Sequence, residues 1–128
     1  MAEIVVLCLA ALLYVGVTLF TSRLQDRDMG PEYNLSPRDG EPSYSTQTQR
    51  MQRAMRNHLD NFVLFAAAAL AVFVTRNDFW LTDLAAWIYL LARIAYVPAY
   101  YYGWAPWRSI FFMCGLVATI VMYLVVLF

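Results

Sequence analysis

Lysine is missing from this chain: all nine of its cationic side chains are Arg. Only Arg presents the planar fork that grips a carboxylate in two-pronged fashion, so the choice matters wherever an anion must be held. Cysteine is scarce. Cys8 and Cys114 each sit inside an apolar stretch, with no close Cys or His neighbour, which excludes a thiolate metal centre and leaves two small thiols expected to be buried. No zinc signature and no glycine-rich phosphate loop can be assembled from one His and five Gly. Soluble behaviour is excluded as well, because 62% of the 128 residues are hydrophobic and the mean hydropathy is +0.53.

What the chain has instead is four long apolar stretches, about 2–20, 57–75, 79–101 and 107–128, each able to span a hydrocarbon core of roughly 30 Å. They predict an all-α, integral membrane four-helix bundle forming a single domain over residues 1–128. The first stretch is preceded by no basic residue and followed by no small-x-small cleavage site, so it reads as a permanent helix. Six Arg lie between the first and second spans, Arg108 lies between the third and fourth, and only Arg76 lies in the remaining turn. The positive-inside rule then places both termini away from the cytoplasm.

At about 100° per residue, Arg50, Arg53, Arg56, Asn57 and Asp60 fall within an arc of roughly 120° at the entry to the second span. Headgroup snorkelling accounts for Arg50 but not for Asn57 and Asp60 deeper on the same face, so the stripe is read as facing a small anionic ligand. His58 falls about 100° off the stripe and is expected at the interface, facing solvent or headgroups. In the third span Arg93 lies about nine residues, or ~14 Å, from the polar end, where a cation costs on the order of 2.5–3.5 kcal/mol and needs a partner. Tyr89, Tyr96 and Tyr100 share its face, and Asp60 is the natural carboxylate for it.

Pro98 is expected to kink this helix, and Tyr100, Tyr101, Tyr102, Trp104 and Trp107 form an interfacial belt. Pro106 opens the fourth helix and sets Arg108 and Ser109 beside free backbone amides, a place that welcomes an anion. Residues 23–46, rich in Pro, Gly and alternating charge, read as a cytoplasmic loop that is either a lid or docking surface or a solvated linker. Ser45 or Thr46 caps the helix that follows.

These residues resemble a known family. The pattern Arg50-x-x-Arg53-Ala54-x-x-Asn57-x-x-Asp60, the pair Arg93 and Tyr100 seven apart, and Pro106-x-Arg108-Ser109, on four spans in matching order, are similar to the membrane-associated proteins in eicosanoid and glutathione metabolism (MAPEG). The segment Leu35-Ser36-Pro37-Arg38-Asp39 looks like its bacterial members. The resemblance implies a homotrimer in the inner membrane that holds glutathione between subunits, near the cytoplasmic face, for attack on a lipophilic small-molecule electrophile, with no nucleic-acid partner. It implies that Arg53, Arg56, Asn57 and Asp60, with Arg93, Tyr96 and Tyr100, contact the tripeptide, that Arg108 and Ser109 flank its sulfur, and that Arg23 reaches in from a neighbour. Asp60 replaces the commoner Glu, and Phe112 lacks the hydroxyl of some relatives.

The chemistry fits these residue types on its own terms. Glutathione carries two carboxylates and one ammonium, matching several Arg and one Asp, and an Arg at a helix N-terminus favours thiolate over thiol. The expected function is a glutathione-dependent transferase or peroxidase of detoxifying type. The alternative is a non-catalytic member that binds lipid or a partner protein. A proton-coupled transporter is disfavoured, since the first span offers only Glu3, at its outer edge.

Overall fold

A computed structural model describes all 128 residues as helices joined by turns: α1 (Ala2–Met29), α2 (Pro31–Leu35), α3 (Thr46–Thr75), α4 (Trp80–Tyr101) and α5 (Trp107–Leu127). The four long helices are each long and apolar enough to cross a membrane. The chain is thus an all-α, multi-pass integral membrane protein. Helices α3 and α4 form the central pair. Both α1 and α5 pack on that pair, and α1 and α5 do not pack on each other.

The seam that orders the bundle is written in α3. Met51, Ala54, His58, Phe65, Ala68 with Ala69, and Val72 recur at helical spacings of three, four and seven, and all are buried. Small side chains let α1 and α4 approach this seam closely, as Val6, Ala10, Ala85 and Ala86 do. At its centre the rings of Phe65 and Tyr89 stack 3.9 Å apart and parallel within 1°. Gly115 adds to the close packing on the α5 side, lying against Ala92, Tyr89 and the Arg93 stem. Outward faces keep large apolar side chains such as Leu12, Val74 and Leu91 exposed on the single chain. In a bilayer this carries no hydrophobic penalty, because lipid tails are as apolar as a core.

The same reasoning corrects the expectation for cysteine. Cys8 and Cys114 are both exposed on the outer surface, not buried. A thiol gains little from a bundle interior when the surrounding solvent is hydrocarbon.

The connection at 23–46 also departs from the expected loop. Helix α1 continues past the apolar stretch to Met29, because Val17, Thr21 and Leu24 carry its buried face onward and Val17 and Leu24 pack with Met51. After the turn at Gly30 the short α2 folds back, and Asn34 Nδ2 donates to Asp26 Oδ1 (2.8 Å) and Ser22 Oγ (3.1 Å). Ser45 caps α3, as expected, its Oγ accepting from the Thr48 amide. Asp28 then fastens α1 to this cap, accepting from the Ser45 amide (2.8 Å) and from the Thr48 hydroxyl.

These bonds, the Thr48 hydroxyl first, hold the Asp28 carboxyl well below the usual carboxylate range. Asp28 lies two turns past the apolar stretch. Because its folded pKa is depressed, the clamp contributes fully above the ordinary Asp value of about 3.9, and its share is lost as pH falls through the folded value. Asp28→Asn is expected to lower thermal stability in detergent at pH 7, with the gap to wild type narrowing below about pH 4. A gap that stays constant down to pH 3 contradicts the clamp.

At the opposite end the Met1 ammonium pairs with Glu3 and Asp78, each at 2.9 Å, and the Ala2 amide donates to Asp83 (3.2 Å). These contacts tie the start of α1 to the turn between α3 and α4. That turn is closed by Arg76 in the left-handed region, at φ 57°. The bundle therefore has an acidic end and an arginine-rich end.

Candidate functional site

The arginine-rich end is where α3, the end of α4 and the start of α5 converge. Helix α4 runs through Pro98 to Tyr101, and the chain reverses at Gly103, whose φ of 70° favours glycine. A Cβ there would come within 3.0 Å of the Arg50 guanidinium, so the missing side chain is also what lets Arg50 lie against the turn, with Nη1 3.4 Å from the Tyr101 carbonyl.

Two adjoining clefts open here. The first, about 220 Å³, is lined by Asn57, Tyr96, Arg108, Ser109 and Phe112. The second, about 320 Å³, is lined by Arg50, Arg53, Tyr100 and Arg108 with the Gly103–Ala105 turn. Arg108 belongs to both. Its guanidinium carbon sits 5.0 Å over the Tyr100 ring, while the Tyr100 hydroxyl accepts from Arg53 Nε at 3.1 Å. Three larger concavities are present, of about 920 Å³ at the acidic end, about 520 Å³ beside Trp104, Ala105, Trp107 and Phe111, and about 390 Å³ between α4 and α5. The last two are lined by apolar and aromatic side chains alone and the first, mostly apolar, holds one Arg and one Asp, so none gathers cations as the pair of clefts around Arg108 does.

Arg93 is buried, 1% exposed, and is the only buried Arg. The expected Asp60 contact does not form. Arg93 Nη1 donates to Asn57 Oδ1 (3.1 Å) and Nε donates to His58 Nδ1 (3.2 Å), while its guanidinium carbon lies 4.3 Å over the Tyr96 ring. The reason is angular. Asp60 lies about 160° around α3 from His58, so a guanidinium bonded to His58 is on the wrong side of the helix for Asp60. His58 itself is fully buried, with Nε2 3.2 Å from the Ala10 carbonyl of α1, and not at the headgroup surface as its offset from the stripe had implied. The buried seam Met51, Ala54, His58, Phe65 was the signal that locates it.

The free-amide expectation at α5 also fails in part. The Arg108 amide donates to Trp104 O (3.1 Å) and the Ser109 amide to Pro106 O (3.0 Å), leaving the guanidinium and the hydroxyl as the groups on offer. Of the residues singled out in the sequence, Asn57, Tyr96, Arg108 and Ser109 line one cleft and Arg53 and Tyr100 the other. Arg56, Asp60 and Arg23 are exposed and line neither. Arg93 meets the first cleft only through its neighbours.

The arginines around the clefts have no carboxylate partner. None of Arg50, Arg53, Arg56, Arg93 and Arg108 forms an ion pair within the chain. Arg93 Nη2 and the Tyr89 hydroxyl are buried without a hydrogen-bond partner. Guanidinium groups gathered without carboxylates suit an anion supplied from outside the chain.

Fold and clefts together define an integral membrane four-helix protein with an arginine-lined site at one end. The chain belongs to the MAPEG family, which it matches over residues 1–128, its whole length. Among curated individual proteins none matches.

Proposed function

We propose that the protein is a glutathione-dependent transferase or peroxidase acting on lipophilic electrophiles, working as a homotrimer whose arginine-rich end faces the cytoplasm. The observation that supports this most is the gathering of three Arg without an ion pair, Arg50, Arg53 and Arg108, on two clefts that share Arg108, with Arg93 buried behind one of them. Glutathione supplies the two carboxylates such a set lacks. In this reading Asp60, exposed on α3, meets the ammonium, and Arg23, exposed on α1, reaches a neighbouring subunit's ligand.

In this reading the sulfur lies in the smaller cleft beside Arg108 and Ser109. A thiol of pKa about 8.5 is only a few per cent ionised at pH 7. The Arg108 guanidinium stabilises the anion, the Ser109 hydroxyl donates to it, and Phe112 excludes water from one wall. An electrophile dissolved in the bilayer reaches the thiolate from the side, so the reaction joins a polar donor to an apolar acceptor at the boundary between their two solvents.

The test is conjugation of glutathione to a chromogenic aryl halide by the purified protein, with reduction of an organic hydroperoxide run in parallel. Saturable turnover in either supports an enzyme. Glutathione binding with no turnover across a broad electrophile panel supports the non-catalytic alternative.

A further inference from the structure

We infer that His58 is a positioning residue: acting through Arg93, it fixes the Asn57 carboxamide so that its NH₂ group is presented to an anion in the smaller cleft. The inference rests on the reading that this cleft binds an anionic ligand.

A guanidinium only donates hydrogen bonds. Every partner of Arg93 must therefore accept. His58 Nδ1 accepts from Nε at 3.2 Å, so that nitrogen carries no proton and the ring is neutral with its proton on Nε2. The other side of the ring demands the same, because Nε2 lies 3.2 Å from the Ala10 carbonyl, which can only accept. The rings of Tyr14 and Phe62 both lie nearly parallel to it, at centroid distances of 5.8 and 6.2 Å. One tautomer and one ring orientation are thus set from both ends.

The far side of Arg93 carries the instruction onward. Nη1 donates to Asn57 Oδ1 at 3.1 Å, and Asn61 Nδ2 adds a longer approach of 3.4 Å to the same oxygen. The carboxamide oxygen is therefore committed to the interior. Its NH₂ group has no partner within the chain, and Asn57 lines the cleft with Arg108 and Ser109. Losing His58 as acceptor frees Nε and loosens the fork. Asn57 is then able to flip and present an oxygen, turning attraction for an anion into repulsion.

The most direct test uses the full-length protein in detergent or nanodiscs with ¹⁵N-labelled histidine, since His58 is the single His. At pH 7 the expected spectrum is that of a neutral ring protonated at Nε2 with a bare Nδ1. A proton on Nδ1, or an imidazolium, overturns the inference whatever the ligand is. This readout needs no glutathione. If wild type fails to bind the tripeptide while the spectrum is as expected, the assignment of the ligand falls and the relay stands.

Calorimetry supplies the second arm. His58→Leu is expected to weaken glutathione binding by at least about tenfold, and His58→Gln, which still offers an acceptor and a donor, to recover most of it. Binding by His58→Leu as tight as wild type contradicts the relay. Should that variant not fold, Asn57→Asp decides: it keeps an acceptor for Arg93, and so thermal stability, but removes the NH₂ group. Loss of glutathione binding by folded Asn57→Asp supports the inference, and unchanged affinity overturns it.

Discussion

Arg108→Ala is expected to raise the apparent pKa of bound glutathione by about two units and to cut the thiolate population at pH 7 by roughly 25-fold. The size follows from ionisation alone. A thiol at about 8.5 is roughly 3% ionised at pH 7, whereas one lowered to about 6.5 is roughly three-quarters ionised. Thiolate absorbance of the bound tripeptide, followed against pH, measures this directly. Conjugation should fall in the same variant, with the deficit shrinking as pH approaches about 9 and free thiol ionises unaided. Arg108 is exposed and touches both clefts, so its loss removes a charge from their walls and little packing. A deficit that is equal at pH 7 and pH 9 would place Arg108 in binding and not in thiol activation.

The second large effect is expected for Arg93→Met, and its two parts separate. Ligand-free stability should stay within about 2 kcal/mol of wild type, because opposing terms nearly cancel. Removing an uncompensated buried cation gains on the order of 2.5–3.5 kcal/mol. His58 Nδ1 and Asn57 Oδ1 then lose their donor, which costs about 1–3 kcal/mol each. Stabilisation by glutathione is a different matter. In wild type a ligand at 100 times its Kd adds about 2.7 kcal/mol, and that increment should disappear in the variant. Thermal unfolding in detergent with and without glutathione reads both parts. A large loss of ligand-free stability would make Arg93 a structural residue, since a charge with no carboxylate partner would then be holding the bundle together.

Much of the architecture was readable from residues alone because a membrane imposes few solutions. Four apolar stretches of about twenty residues must be helices, and the Ser45 cap and the polar turn at Arg76 mark ends that hydrogen bonding dictates locally. The same locality failed at residues 23–46. There the continuation of α1 depends on Leu24 meeting Met51 and on Asp28 meeting Thr48, contacts between segments twenty or more residues apart.

The candidate site was legible as a set of residue types and less so as a geometry. Composition and spacing picked out Asn57, Tyr96, Arg108 and Ser109, which the fold gathers in one cleft. The partner of Arg93 was misjudged because charge complementarity pointed to Asp60, whereas rotation about α3 brings Asn57 and His58 to it. His58 was misplaced for a related reason. A helix in the centre of a bundle has more than one covered face, so distance from the polar stripe does not mean exposure. Its spacing from Ala54 and Met51 carries that information.

The measurement that bears most directly on the central claim is a structure of the protein determined in lipid with glutathione. The account predicts a tripeptide in the adjoining clefts, its carboxylates against Arg side chains of α3 and its sulfur beside Arg108 and Ser109. Glutathione absent at saturating concentration, with Arg50, Arg53 and Arg108 turned outward among lipid headgroups, would contradict it.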